Sequence, residues 1–412
     1  MVDKLEKKVL IREYNEDTDV KVVGKLEKNC EIGSNKEVSI FTNMMGDPLC
    51  RIRFYPVHVM LVAELSENGE LVGVVRGCIK CVGTRLGATY VRLGCILGLR
   101  VSPKYRRMGI GLKLVKSVEE WLVGNGAHYT FLATEKNNGA STDLFTSKCN
   151  YMSFSSLVIF VQPASLPVKG LSQDIKIEKL QINQAISLYN NRLRGKDIYP
   201  TDIDVILKEK LSLGTWVSYF KEDEWIILHS KNNEEEEEED IISKTPSSWA
   251  IFHLEFCDAY KLHIRKSHHN PLKFFHATLS HARDKIFPCL KLPICDSLQK
   301  PFGFLFLYGL YGEGERLQEL MKSIWNFASR LAENVKDCKV IITELGVSDP
   351  LMEYVPHESS MSFIDDLWYL KKVNGGEDNE QVVMEQVGNV TIFKLLIGVR
   401  NDGFGLLKVQ LI

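Results

Sequence analysis

The stretch VSPKYRRMGIGLKLV, residues 101–115, decides how this chain folds. It carries Lys104, Arg106 and Arg107, then Gly109 and Gly111 with one residue between them. Upstream lies YVRLGCILGLRV (90–101), apolar and β-branched enough to read as a strand. Downstream, Ile110, Leu114, Val118, Trp121 and Leu122 recur at helical spacing. Lys113, Lys116, Glu119 and Glu120 fall off that stripe, and GNG at 124–126 ends the helix. The stretch is therefore a turn from strand into helix. Free N–H groups in a helix's first turn, with its dipole, attract an anion. Glycines let the backbone approach phosphate oxygens because no Cβ intervenes. Arginine can grip phosphate with two bonds. A pyrophosphate suits this pattern.

Working outward, KVLIREY (8–14) reads as a first strand and 17–29 as a polar helix. HVMLVAEL (58–65) and LVGVVRGCIKCVGT (71–84) flank the turn signal SENGE and read as a hairpin. After the helix come a strand, YTFLATE (129–135), a short helix, NNGASTDLFTSKC (137–149), and a last strand, SSLVIFV (155–161). That order makes an α/β unit over residues 1–162. A linker follows at 163–173, overlapping the Pro- and Gly-containing QPASLPVKG (162–170). Residues 174–412 form the second unit, interrupted by an acidic loop at 231–248 that contains Glu234 to Asp240. In it, SWAIFHLEF and PFGFLFLYGLY read as strands. The apolar stripe 317, 320, 321, 324, 327, 328 and 331 reads as an amphipathic helix within 313–335. CKVIITELG and FIDDLWYLKKV (363–373) are strands. Strand, helix, strand, strand repeats the end of the first unit, so the second half reads as a degenerate copy.

Composition narrows the class. The 412 residues suffice for two or three domains, and no apolar run approaches the roughly 18–20 residues of a membrane span. The charged N-terminus lacks a secretory core. Ten scattered cysteines suit free thiols in a reducing compartment. The CIKC pair, Cys78 and Cys81, lies in an extended run, where residues three apart point to opposite faces; no metal is expected there. The net charge of −2 has no basic excess for nucleic acid.

The pattern R-x-x-G-x-G after a strand lacks the ATP loop's lysine, and Leu114 stands where a dinucleotide fingerprint needs its third glycine. It resembles the acyl-CoA loop of the GCN5-related N-acetyltransferase superfamily, and NGASTDLF echoes that superfamily's N-x-x-A-x-x-L-Y segment. PKYRRMGIG, EKNNGASTDLFTSKCNY and RGKDIYPTDIDVILKEKLSLGTW (194–216) together make the whole chain similar to the HOOKLESS family of plant N-acetyltransferases. The resemblance implies a mixed twisted sheet flanked by helices, with acetyl-CoA as co-substrate. It places the cofactor on Leu99, Arg100 and Val101 of the strand, on Arg106, Arg107, Met108, Gly109, Ile110, Gly111 and Leu112 of the loop, and on Asn138, Ser141 and Phe145. It further implies hormone-controlled differential growth, including ethylene-dependent formation of the apical hook, in the nucleus or cytoplasm.

The chemistry is less complete than the loop. A glutamate common on the superfamily's strand is replaced here by Cys95, and the usual tyrosine of L-Y is Phe145. Glu135 at its strand's end, Tyr151 near the lost hydroxyl, and Cys95 are the catalytic candidates, each of which could equally be structural. The histidines between His253 and His281 lack metal-ligand spacing. The acidic run reads first as a solvated spacer, or as bait for a basic acceptor such as a histone. In the second half the corresponding loop, YGLYGEGERL (308–317), keeps Gly312 and Gly314 but puts Glu313 and Glu315 where cations stood, which repels a pyrophosphate. Two accounts remain: an acetyltransferase acting on a protein or small amine, or a catalytically silent acyl-CoA-binding regulator. The intact cationic loop favours the enzyme.

Overall fold

A computed structural model describes residues 9–30, 38–43, 47–84, 87–164, 172–193, 198–223, 225, 245–266, 302–347, 349–355 and 362–373. The strands are β1 (Val9–Glu13), β2 (Val38–Asn43), β3 (His58–Leu65), β4 (Leu71–Thr84), β5 (Gly87–Val101), β6 (Tyr129–Glu135) and β7 (Met152–Pro163) in the first half. The second half has β8 (Ile175–Lys179), β9 (Ile198–Pro200), β10 (Ser212–Phe220), β11 (Trp249–Lys266), β12 (Phe302–Glu313), β13 (Cys338–Gly346) and β14 (Ser362–Lys372). The helices are α1 (Val20–Lys28), α2 (Ile110–Gly124), α3 (Gly139–Asp143), α4 (Ile182–Leu193), α5 (Ile203–Leu207) and α6 (Leu317–Asn334). Most of the acidic run, the linker and the His-rich loop lie outside the described residues.

The periodicities read from the sequence become these elements with shifts of a few residues. What no local pattern shows is how the halves join. The main path of the sheet runs β1-β3-β4-β5-β6-β14-β7-β13-β12-β11-β10-β8. Each half's last strand has left its own unit. β14 lies antiparallel between β6 and β7, and β7 pairs antiparallel with β13. In both halves the strand before the main helix is parallel to the strand after it: β5 with β6, and β12 with β13. The two copies are thus related about the β14–β7 seam, with their closing strands exchanged. Further ties are β2 on β11 and β9 on β4.

Burial follows from the strand alternation. On one face α2 covers Val75, Ile79 and Ile96, and α6 covers Phe252, Leu305 and Ile341. On the opposite face one apolar cluster runs through both halves, from Val23 and Leu26 of α1 across Phe131, Trp368 and Ile159 to Ile342 and Phe304. Trp368 is fully buried and meets Phe131 edge-on at 4.9 Å, so an exchanged strand anchors the first half's core.

Candidate functional site

The site begins where β5 and β6 separate. They pair only at Leu93–Tyr129, Gly94–Thr130 and Cys95–Phe131. Beyond that, β5 continues to Val101 paired with β4, and β6 continues to Glu135 paired with β14. A wedge opens, with Leu99, Arg100 and Val101 on its β5 side. A bulge shapes that edge: Val74 faces Arg100 and Arg76 faces Leu97, leaving an extra residue on β5, and Gly98 there has φ +56°. The bulge reverses which side chains face α1. Leu99 and Val101 pack with the α2 layer, while the half-buried Arg100 turns towards Arg51, Arg76 and Glu27. Burial pulls the Arg100 guanidinium down to about 10, with Arg51 and Arg76 adding to that and Glu27 opposing it.

Arg76 is wholly buried beneath the bulge. Its Nη2 donates to Glu27 Oε1 at 2.6 Å and its Nε to the Pro48 carbonyl at 2.7 Å. A Cβ on Gly98 would stand 2.7 Å from Nη1, which has no hydrogen-bond acceptor among the described residues.

At the open end of the wedge, Arg107 (φ 63°) and Gly109 (φ 79°) are both left-handed, a backbone habit of anion-binding nests. Gly109 caps α2, whose first turn has neither a side-chain cap nor an acidic residue. Arg106 and Arg107 are exposed, and Arg106 Nε donates to the Val101 carbonyl at 3.2 Å. A Cβ on Gly111 would stand at ordinary contact distance from Leu144 and Val101. Met108 and Leu112 are half-buried around it, while Ile110 packs into the core, so only its backbone can reach a ligand. The loop therefore supplies uncapped amides, left-handed turns and two exposed guanidinium groups at one helix start.

Other sequence-based candidates divide. Asn138 caps α3, accepting from the Ser141 N–H at 3.2 Å, which holds that short helix beside the wedge. Phe145 is buried and packs edge-on against Tyr151 at 5.6 Å, so neither ring lines the wedge. The Tyr151 hydroxyl donates to Thr130 Oγ1 at 2.9 Å, and burial holds the phenol well above its usual range, with Glu119 adding to it. Its catalytic assignment gives way to a core role. Cys95 lies in the part of β5 paired on both sides, next to Cys78, and is buried; the thiol is a strand residue, not a nucleophile. Glu135 remains. It is half-buried at the end of β6, on the face shared with α1, and burial raises its carboxyl. Across the strand pair it faces Asp366 of β14.

The second half has the same framework with its openings filled. A bulge recurs where Ile251 faces Tyr311 and His253 faces Tyr308, with Gly309 at φ +63°. There the Tyr189 hydroxyl donates to the Gly309 carbonyl at 2.8 Å and blocks the bulge. The start of α6 is occupied by Ser248, whose Oγ accepts from the Arg316 N–H at 3.3 Å and presses on Gly314. Arg316 is itself held by Glu222 at 2.6 Å and Glu319 at 3.1 Å. Among the described residues, the start of α2 has no side-chain cap, whereas the start of α6 is taken by Ser248 and the Arg316 ion pairs.

Comparison with known proteins agrees with this geometry. Residues 38–151 match the Acetyltransferase (GNAT) family. The Arabidopsis thaliana protein named Probable N-acetyltransferase HLS1 is 38% identical over 384 residues, covering 90% of this chain and 93% of that one. The chain belongs to the HOOKLESS family of N-acetyltransferases. Another member from Arabidopsis thaliana, Probable N-acetyltransferase HLS1-like, is 37% identical over 392 residues, again 90% of this chain and 93% of the other. The rice (Oryza sativa subsp. japonica) protein named Acetyl transferase GW6a is 28% identical, covering 90% of this chain and 92% of its own length. Among solved structures, Saccharomyces cerevisiae N-myristoyltransferase with bound myristoyl-CoA superposes with a TM-score of 0.52 at 11% identity, covering 90% of this chain and 86% of that one. For this HOOKLESS-family chain that likeness concerns the two-unit fold alone.

Proposed function

We propose that the chain moves the acetyl group of acetyl-CoA onto a primary amine by direct attack, with both substrates bound together in the first half's wedge. The observation that carries this reading is the contrast between two equivalent sites. Around α2 the helix start is uncapped and cationic and the strands beside it are open; around α6 each of those places is filled by Tyr189, Ser248 or an ion pair. In this reading the amides of 108–112 and the guanidinium groups of Arg106 and Arg107 hold the diphosphate. The free edge of β5 at 97–101 pairs with the pantetheine arm, and the thioester lies beside the Gly98 bulge. The acceptor enters from the face of α1. A lysine-type amine with pKa near 10.4 is only about 0.1% neutral at pH 7.4, a deficit of roughly 4 kcal/mol, so a carboxylate near the wedge matters.

The acceptor is a protein or small amine, and a basic protein such as a histone tail suits the acidic carboxylates on β6 and β14. Following the family, we assign the activity to hormone-controlled growth in the nucleus or cytoplasm. The core placement of Phe145, Tyr151 and Cys95 favours a second reading, an acyl-CoA-binding regulator without turnover. Calorimetry with acetyl-CoA on the wild type and on Arg106→Glu/Gly109→Glu tests the binding; loss of about 100-fold or more in affinity is expected from two altered phosphate contacts. Thiol release, with mass spectrometry of products after incubation in plant nuclear extract, separates the readings: binding without any acetylated product selects the regulator.

A further inference from the structure

The first half lacks a carboxylate on β5, yet the exchanged strand brings one to β6. Asp366 of β14 is in register with Glu135, and both stand on the face shared with α1, since they alternate in step with Trp368 and Phe131. On its other side Asp366 faces Leu157 of β7, an apolar neighbour. Asp366 is 7% exposed and, among the described residues, has no hydrogen-bond partner and no cation beside it. Buried carboxylates are ordinarily paired, because desolvating a charge without a partner is costly. A lone one, slightly exposed and opposite the last residue of β6, is placed to meet a cation that arrives from outside.

We propose that Asp366, supported by Glu135, receives the proton of the acceptor ammonium, so that a strand of the second half completes the site of the first. This rests on the transfer reading above. The Asp366 carboxylate takes one proton from R–NH3+, leaving a neutral amine. The amine nitrogen attacks the thioester carbonyl carbon, forming the C–N bond; the C–S bond breaks and its electron pair leaves on sulfur. The second N–H proton ends on that sulfur as free thiol, and Asp366 returns its proton to solvent. Burial raises the Asp366 carboxyl to about 7, near the pH where a general base is most effective; Glu135, facing it from β6, adds to that, as does the charge of Asp365, which points to the other face of β14.

The test uses the full chain, with spermidine and a lysine-rich histone-tail peptide as amine probes, and reads thiol release against pH beside acetyl-CoA binding by calorimetry. In the wild type, kcat/KM is expected to rise with pH through a limb near 7 as Asp366 ionises. Asp366→Asn should lower thiol release about 100-fold or more and abolish that limb while acetyl-CoA binds as before. Asp366→Glu should restore part of the rate, and Glu135→Gln, by removing a neighbouring negative charge, should move the limb to lower pH. A merely structural role would leave the limb in place. If Asp366→Asn keeps both the rate and the limb, the role of Asp366 is overturned while the transfer reading stands. If the wild type binds acetyl-CoA but releases no thiol to either amine, transfer itself is overturned, and this role with it.

Discussion

At the scale of single residues, chemistry depends on which groups are left without partners. Tyr151 and Asp366 show the two outcomes. Tyr151 spends its hydroxyl on Thr130 inside the core, so Tyr151→Phe should cost about 1 kcal/mol in stability and leave thiol release unchanged, as urea denaturation and a rate assay would show. Asp366 is held in the reverse condition. Its folded carboxyl, near 7, lies above the unfolded value of about 3.9, so folding favours the protonated form. Its contribution is therefore most favourable below pH 4 and is lost as the pH rises from about 4 to 7. Asp366→Asn should raise stability at pH 8 by a few kcal/mol, of the order of the three-unit difference, and change little at pH 4. Melting temperatures at the two pH values check this. The loop's candidate residues could be picked out from their types alone, as arginines and glycines at a strand-to-helix turn. Asp366 could not, because FIDDLWYL gives only an acid in an apolar strand, and its meaning depends on Glu135, far away in sequence.

Between residues and molecule stand the elements, and here the two bulges make a controlled comparison. Gly98 and Gly309 share a left-handed backbone and the same register shift beside the strand that precedes the helix. An alanine at either position is strained by about 1–2 kcal/mol from φ alone. At Gly98 the new methyl also meets Arg76, and at Gly309 it meets Tyr189. Both variants should melt lower, but only Gly98→Ala should weaken acetyl-CoA binding, because only that bulge borders an open wedge. Calorimetry on the two variants decides it; equal affinities would mean that the bulge does not shape the cofactor edge. The start of α2 is the complementary case. Its uncapped first turn costs the free protein some stability, which a bound diphosphate returns. Saturating acetyl-CoA should therefore raise the melting temperature of the wild type and not that of Arg106→Glu/Gly109→Glu.

Over the whole molecule, the exchange of β7 and β14 makes the halves interdependent. Without β14, β6 loses its outer partner and the core loses Trp368; without β13, β7 has no partner beyond the seam. Residues 1–163 expressed alone should not give a soluble monomer, and co-expression with 172–412 should rescue them, as size-exclusion chromatography would show. Trp368→Ala in the intact chain should cost about 3–5 kcal/mol. The Lys371–Glu119 ion pair, 2.9 Å from β14 to α2, adds a second tie between the exchanged strand and the first half's main helix. What the sequence determined by itself was local: the strand-to-helix turn at 101–115, the 3.6-residue stripe of α6, the β-branched strands and the likeness of the halves. Each is written in neighbouring residues, where backbone sterics and hydrophobic period act. It also put Glu313 and Glu315 where the first loop has cations. Only the tertiary structure decided that the closing strands change places, that Arg76 lies under one bulge and Tyr189 under the other, and that Asp366 stands beside Glu135. Those pairings join residues well apart in sequence, from 22 positions for Arg76 and Gly98 to 231 for Glu135 and Asp366, and no local period encodes which of several compatible strands will be the neighbour. That choice is made by the burial of Trp368, Ile159 and Ile342 in a common core, a property of the assembled sheet and of no single segment.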